Sequence, residues 1–395
     1  MDSNLLNKKK TPVALINFWK KYHKKKILIL GLGKEGMDSF RFFRKIFPDK
    51  ILGVGDKSSF NELSGKAQAI IKSDAKNRKH LGKNYLKAIR DYDVVVKSPG
   101  IPICFPEIKM GFREKKITSG TEIFFDNCPG KIIGITGTKG KSTTASLIYQ
   151  ILQKKGLNAH LVGNIGNPAL PFLFNTPKNN IYVYELSSHQ LYKLKKSPQI
   201  AVFLDIYPDH LDYYKDFKEY VEAKANILLN QTKNDYLIYN SSDARIEKLV
   251  KKSPAKKIEF DKYPLENEFK NSKFFLKRRL NSQNIKAAIS VAKLFKIPKT
   301  IINKSIKEFK PLSHRLEFVG EFKGIRFYDD SVSSIPNSAI HGIRTLGNDV
   351  QTLILGGYDK RVDFENLAKE IIKNKIRNLI LFPSTGKKIW EEIQK

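Results

Sequence analysis

Short apolar runs alternate along this chain with stretches in which apolar residues recur every three or four positions. The runs Ile27–Leu30, Ile51–Val54, Asp93–Val96, Lys131–Ile135, Ile181–Tyr184 and Ile200–Leu204 read as buried strands. Between them, Phe40, Phe43 and Ile46, then Leu147, Ile148, Ile151 and Leu152, fall at helical spacing. Helix Phe217–Leu229 carries Phe217, Tyr220, Val221, Ala225 and Leu228 on one face. Continuous apolar strands alternating with amphipathic helices predict parallel α/β sheets. No internal repeat or low-complexity linker interrupts the pattern. Three sections are expected: residues 1–127, 128–310 and 311–395. The last departs from simple alternation. It opens with a hairpin, Leu316–Phe322, a turn at Lys323–Gly324 and Ile325–Tyr328. Strand Thr352–Leu355, a helix from about Phe364, strand Leu379–Phe382 and a final helix follow.

Composition narrows the class. The chain has 395 residues, 41% of them hydrophobic, enough for two or three cored domains. No apolar run reaches the ~18 to 20 residues of a membrane span. The early stretch Val13–Trp19 is short, is followed by lysines and has no small-residue cleavage site, so no secretory signal or membrane insertion is expected. Cys104 and Cys128 are the only cysteines, which makes neither a disulfide framework nor a zinc site and fits a reducing cytoplasm. The formal charge is +33. Its lysines are spread over the whole length, and clusters such as Lys8–Lys10 and Lys24–Lys26 read as solvated faces rather than a specific nucleic-acid site. An anionic substrate would benefit from the same field.

Two loops carry candidate chemistry. Gly31-Leu-Gly33-Lys-Glu-Gly36 lies between a strand and a helix, where its glycines permit a tight turn and close approach to a diphosphate at the helix N-terminus. Asp56 follows the next strand at the distance of a ribose-binding carboxylate, and Lys97-Ser98-Pro99-Gly100 ends another strand on the same sheet edge. A plain tight turn is the bland reading, and NAD and UDP are not separated by these residues. The second loop, Gly134-Ile-Thr-Gly137-Thr-Lys-Gly140-Lys141-Ser142-Thr143-Thr144, is a variant P-loop with Ile135 where the strict pattern has glycine. Its N–H groups would cradle phosphates, Lys141 would reach the β/γ-phosphates and Ser142 would face Mg²⁺.

Ligands of open α/β sheets gather at strand carboxyl ends. Strand Ile181–Tyr184 ends at Glu185, followed by His189 and Gln190. Strand Ile200–Leu204 ends at Asp205, followed by Asp209-His210-Leu-Asp212. A carboxylate and an imidazole are thereby expected beside the P-loop, available to a phosphate-bound cation. His189 alone reads as structural. Lys224 falls on the apolar face of its helix, so it either snorkels to solvent or points to that cation site.

These residues resemble the Mur ligase family. Gly137-Thr-Lys-Gly-Lys-Ser-Thr143, Gly163-Asn-Ile-Gly166, Glu185-Leu-Ser-Ser-His-Gln-Leu191, Asp209-His-Leu-Asp212 and Ala223-Lys224 occur in the family's order. Asn281-Ser-Gln-Asn284, Ala287-Ala288, Ser313-His-Arg-Leu-Glu317, Asp330-Ser331 and Gly356-Gly-Tyr-Asp-Lys360 extend the match over almost the whole chain. The first loop and Leu-Ser-Ser-x-Gln-Leu are most similar to the MurD type. The resemblance implies three domains: a Rossmann-like UDP-substrate domain, a central P-loop ATPase-type sheet and a Rossmann-like amino-acid domain. It implies a cytoplasmic, monomeric enzyme that uses ATP and Mg²⁺ to join glutamate, D-glutamate first, to UDP-N-acetylmuramoyl-L-alanine through an acyl phosphate in peptidoglycan synthesis. An L-glutamate ligase or another Mur-type ligase is the alternative. A basic nucleotide- or nucleic-acid-binding protein without ligase chemistry is the rival of another class.

Carried onto this chain, the resemblance implies that Gly137, Thr138, Lys139, Gly140, Lys141, Ser142 and Thr143 hold ATP. Asn284 would contact adenine, Arg315 a phosphate and Asp330 the ribose. Ser142, Glu185, His210 and a carbamylated Lys224 would serve the metal, with Lys141, His210 and Lys224 catalytic. Gly33, Lys34, Glu35, Asp56, Ser98, Gly100 and Asn164 would bind the UDP-muramoyl substrate, and Lys360 the glutamate carboxylate. Two departures stand out. After Asp330-Ser331 many members have Lys-Ala-Thr-Asn, whereas this chain has Val332-Ser-Ser-Ile-Pro336. The family also continues past the position of Lys395 with serine and phenylalanine contacts to glutamate, so the third domain is expected to be incomplete.

Overall fold

The computed structural model of the chain describes residues 13–175, 177–269 and 282–395; Lys8–Lys10 and Asn281 lie outside them. Strands β1 (Ile27–Leu30), β2 (Leu52–Asp56), β3 (Asn77–Leu81), β4 (Val94–Lys97) and β5 (Ile117–Thr118) form a parallel sheet in the order β3-β2-β1-β4-β5. All four residues of β1 are buried, because both faces of a parallel sheet are covered by crossover connections. The strand order reverses between β1 and β4, which opens a crevice beyond their carboxyl ends. Gly31 turns the chain there at φ +87°, and Gly36 lets the next helix, Lys34–Ile46, close on the turn. A Cβ on Gly36 would lie 1.6 Å from the Gly31 carbonyl oxygen.

The middle section holds a second parallel sheet of β6 (Lys131–Thr136), β7 (Ala159–Gly163), β8 (Ile181–Glu185), β9 (Ile200–Phe203), β10 (Tyr236–Tyr239) and β11 (Lys256–Glu259). Its order is β11-β10-β9-β6-β8-β7. β6 therefore runs between β8 and β9, with Ile135 opposite Glu185 and Thr136 opposite Phe203. The P-loop leaves β6 at this second switch point, flanked by the two strand tips that carry the candidate acids.

One apolar cluster spans the first two sections, beside a further core in each, around Ile148 and Val202 in the middle section and around Leu28 and Ile89 in the first. The spanning cluster runs from Phe18 and Phe42 through Leu170 and Leu173 to Tyr182 and Ala255. Phe42 meets Phe174 at 5.3 Å between ring centroids. The Val13–Trp19 stretch belongs to helix Val13–Tyr22, and its Phe18 packs on Phe42 and Phe43. Among the described residues no helix is long and apolar enough to cross a membrane.

The third section pairs β12 (Glu317–Phe322) antiparallel with β13 (Ile325–Asp329), and β14 (Thr352–Leu355) parallel with β15 (Asn378–Leu381). Its own small core gathers Ile340, Ile343, Leu367, Ile371 and Ile389. Strand limits read from the sequence hold to within one or two residues, and helix Phe217–Leu229 has the limits expected for it.

Candidate active site

Gly140, at φ +75°, caps helix Lys141–Lys154, which buries Ser142, Thr143 and Thr144. A Cβ on Gly140 would meet the Asn284 Oδ1 at 2.5 Å, so only glycine lets helix Ser282–Leu294 lie this close. Asn284 also accepts the Thr144 hydroxyl at 3.3 Å. The Lys141 ammonium donates to the Thr138 carbonyl at 2.9 Å. The helix start thus offers N–H groups and a lysine at one point, the arrangement that binds phosphates.

At the tip of β8, Glu185 is 1% exposed. Its Oε1 accepts the Asn164 amide at 3.3 Å, while Oε2 is buried with no protein partner. At the tip of β9 the chain turns through His210 at φ +55°, a strained setting for a residue with a Cβ. The turn is held by the Tyr213 and Tyr214 N–H groups on the His210 carbonyl, at 3.0 and 3.1 Å. Burial, with the Lys360 ammonium nearby, holds the His210 imidazole down at about 4 despite Asp209, so it is neutral and able to ligate. His189, expected to be structural, stacks edge-on against His210 and Tyr213 at 4.6 and 4.2 Å.

Lys224 does not snorkel. It is 1% exposed and donates to the Gly137 carbonyl at 2.7 Å. Burial, reinforced by Lys141, drives its ammonium far below the usual lysine range. Burial thus favours the uncharged amine, the form that can add CO₂. Among the described residues no three His, Cys, Asp or Glu side chains form a ready-made metal cage. The orphaned Glu185 Oε2, the neutral His210 and a lysine that would gain a carboxylate nonetheless suit a hard cation that keeps much of its own water.

The crevice of the first sheet joins this centre. Ser98 Oγ donates to the Gly31 carbonyl at 2.8 Å, and Asp56 accepts the Leu32 N–H at 2.7 Å. A pocket lined by Lys34, Glu35, Ser39, Thr121, Asn164 and Gln190 opens between the first and middle sections. Glu35 accepts the Gln190 amide at 2.8 Å, and burial raises its carboxyl to about 7. Gly33 and Gly100 stay exposed at the mouth of the crevice. Sequence reasoning named Lys97 in its loop but gave it no role; it is 7% exposed and donates to the Ser98 carbonyl at 3.0 Å and to the Tyr213 hydroxyl at 3.3 Å. Its only signal was a lysine ending an apolar strand.

The third section reaches in with two side chains. Arg315 donates to the Ser142 hydroxyl at 2.9 Å, and Lys360 pairs with Asp209 at 2.9 Å and bonds Ser334 at 3.0 Å. Arg315 is flanked by His314 and Leu316, both at positive φ, +60° and +47°. Asp330 accepts the Leu316 N–H and the Ser333 hydroxyl, which fixes its carboxylate within the third section. Asn284, Lys224 and Arg315 thus touch the P-loop or the helix it opens, Lys360 reaches Asp209 beside His210, and Asp330 stays bonded within the third section; Lys34, Glu35, Asp56, Ser98 and Gly100 line the adjoining crevice, and Asn164 bonds Glu185 from it.

A phosphate-gripping loop at a parallel-sheet switch point, walled by a carboxylate and an imidazole and closed by a third domain, defines a nucleotide-dependent α/β enzyme. Comparison with known proteins narrows this. Residues 135–309 match the Mur ligase middle domain. The UDP-N-acetylmuramoylalanine--D-glutamate ligase of Clostridium tetani is 35% identical over 398 residues, 96% of this chain and 85% of that one. The same-named protein of Acetivibrio thermocellus is 31% identical, over 95% and 84%. Among solved structures, MurC from Thermotoga maritima has a TM-score of 0.55 at 16% identity over 94% of this chain and 88% of that one. MurF from Thermotoga maritima in complex with ADP has a TM-score of 0.52 at 14% identity over 93% and 84%, a likeness of fold. The chain belongs to the Mur ligase family and is an ATP-dependent acid–amino-acid ligase, with the ATP and Mg²⁺ requirement of that family.

Proposed function

We propose that this protein joins D-glutamate to UDP-N-acetylmuramoyl-L-alanine, with ATP cleaved to ADP and phosphate. The carrying observation is the near full-length likeness to D-glutamate ligases, 35% identical over 96% of the chain in the Clostridium tetani protein. In this reading residues 1–127 bind the UDP moiety, 128–310 bind ATP and 311–395 receive the amino acid. Lys34, Glu35, Asp56 and Ser98 hold the UDP-sugar in the crevice, and Asn164 aims its alanyl carboxylate at the P-loop. Asn284 and Asp330 serve the adenosine.

The chemistry follows from charge. An acceptor carboxylate must approach a triphosphate, so two anions meet. Lys141 and Arg315 offset that repulsion and the charge of the transferring phosphoryl group. Ser142, Glu185, His210 and a carbamylated Lys224 would hold Mg²⁺, which would supply neutralisation of phosphate charge. The acceptor's carboxylate oxygen forms a bond to the γ-phosphorus and ADP leaves. The glutamate amine, brought in by Lys360, then attacks the acyl carbon; phosphate leaves and the amine gives up its proton. Closure of the third domain keeps water from the acyl phosphate.

The test is ADP release measured with UDP-N-acetylmuramoyl-L-alanine and each glutamate enantiomer in turn. Turnover that requires this acceptor and D-glutamate is expected. Equal or greater turnover with L-glutamate would replace the enantiomer assignment, and ATP turnover indifferent to the acceptor would end the ligase reading.

A further inference from the structure

The P-loop is tied on its outer side before any nucleotide arrives. The Thr138 and Lys139 N–H groups both donate to one oxygen, Asp205 Oδ1, at 2.6 and 2.8 Å. The Thr138 N–H also reaches the Asp205 backbone carbonyl at 3.1 Å. The Thr138 hydroxyl is fixed as well, by the Tyr207 N–H and the Tyr220 hydroxyl, each at 2.9 Å. The loop presses on the end of β9: a Cβ at Gly137 would stand 2.9 Å from the Leu204 Cβ and 3.2 Å from Asp205 Oδ1.

Two successive N–H groups converging on one oxygen make an anion-binding concavity. Here a residue of the chain fills it: burial pushes the Asp205 carboxyl up, while the Thr138 and Lys139 N–H groups and the nearby Lys141 and Lys139 favour its charged form. Thr138 and Lys139 thus have their amides turned towards the β9 tip. Helix geometry leaves a different set unpaired, the first N–H groups of the helix that begins at Lys141, which Gly140 caps. These are the donors left to grip a nucleotide. The sequence placed Asp205 at a strand end among candidate cation ligands; its Oδ1 instead holds the loop.

We propose that Asp205 is a positioning residue for ATP: its carboxylate sets the path of Gly137–Gly140 through the Thr138 and Lys139 amides and so aims the N–H groups from Lys141 onward at the phosphates. The proposal rests on the ATP-dependent ligase reading. Asp205 touches no substrate and acts through the loop.

The experiment uses the full chain and two readouts. The first is amide hydrogen exchange over residues 134–141 without nucleotide, in wild type, Asp205→Asn and Asp205→Ala. The second is steady-state turnover with each substrate varied. Wild type should protect the Thr138 and Lys139 amides; fast exchange there overturns the proposal without any variant. Asp205→Ala should speed that exchange ~10-fold or more, the scale of a lost charge-assisted hydrogen bond. It should raise KM for ATP by a similar factor, with KM for acceptor and amino acid within about twofold. Asp205→Asn keeps a carbonyl oxygen in place and should stay within about threefold of wild type in both readouts. Wild-type protection or an unchanged ATP KM in Asp205→Ala overturns the proposal. So does an equal rise in all three KM values, or an Asn variant as impaired as the Ala variant. If wild type shows no acceptor-dependent ADP release, the ligase reading fails instead, and the exchange measurement still judges Asp205.

Discussion

Lys224 lies on a helix face with Tyr220, Ala223, Ala225 and Leu228, all buried. A lysine on an apolar stripe was legible in the sequence as an anomaly. Its resolution was not, because snorkelling and burial produce the same spacing. The structure encloses the amine against the Gly137 carbonyl, and burial holds its pKa far below the usual lysine range. Lys224→Ala is expected to cut ligase turnover by about 10²- to 10³-fold, the scale for removing one stabiliser of transition-state charge. Lys224→Arg should be as impaired, since a guanidinium stays charged and adds no CO₂. Turnover of either variant near wild type, or wild-type activity insensitive to removal of dissolved CO₂, would discard the carbamate. Glu35 makes a pH prediction. Burial raises its carboxyl to about 7 in the folded chain, against an ordinary glutamate value of 4.5. The folded state thus binds this proton more readily than the unfolded state, and its contribution to stability falls as pH rises from about 4.5 to about 7. Glu35→Gln removes the titration and can still accept from Gln190. Its gain in Tm over wild type should therefore be larger at pH 8 than at pH 5; an equal gain at both would contradict the assignment.

At the scale of elements, the glycines of the first loop divide by what surrounds them. A Cβ on Gly36 would collide with the Gly31 carbonyl at 1.6 Å, whereas one on Gly33 would meet nothing within 4 Å. Gly36→Ala should destabilise the chain by ~2 kcal/mol or more through the forced backbone shift, read by denaturant unfolding. Gly33→Ala should leave stability nearly unchanged and weaken binding of the UDP-linked acceptor, read as a raised KM. The motif spelled out three equivalent glycines; only packing assigns one to helix closure and leaves another facing the ligand. The P-loop behaves similarly. Its strand–turn–helix context was readable from residue order, but the partner of the Thr138 and Lys139 amides sits 67 and 66 positions away, at Asp205.

For the whole molecule, the division of the core decides cooperativity. The first and middle sections are joined through Phe18, Phe42 and Leu173, while the third has a separate small cluster around Ile343 and Ile371. The chain's two tryptophans fall on either side: Trp19 packs against the shared core and Trp390 is 47% exposed in the third section. Fluorescence of Trp390→Phe should report one late unfolding transition, and that of Trp19→Phe an earlier one. Coincident midpoints would mean that the Arg315–Ser142 and Lys360–Asp209 bridges lock the third section to the rest. Residue order by itself determined the alternation of strands and helices, the two glycine loops and the acids at strand tips, because these depend on local periodicity and on turn chemistry. It could not settle which carboxylate keeps a buried unpartnered oxygen and which braces a loop, whether Lys224 is wet or dry, or that one apolar cluster spans two sections. Those are outcomes of strand order and desolvation, and both arise only when distant segments pack.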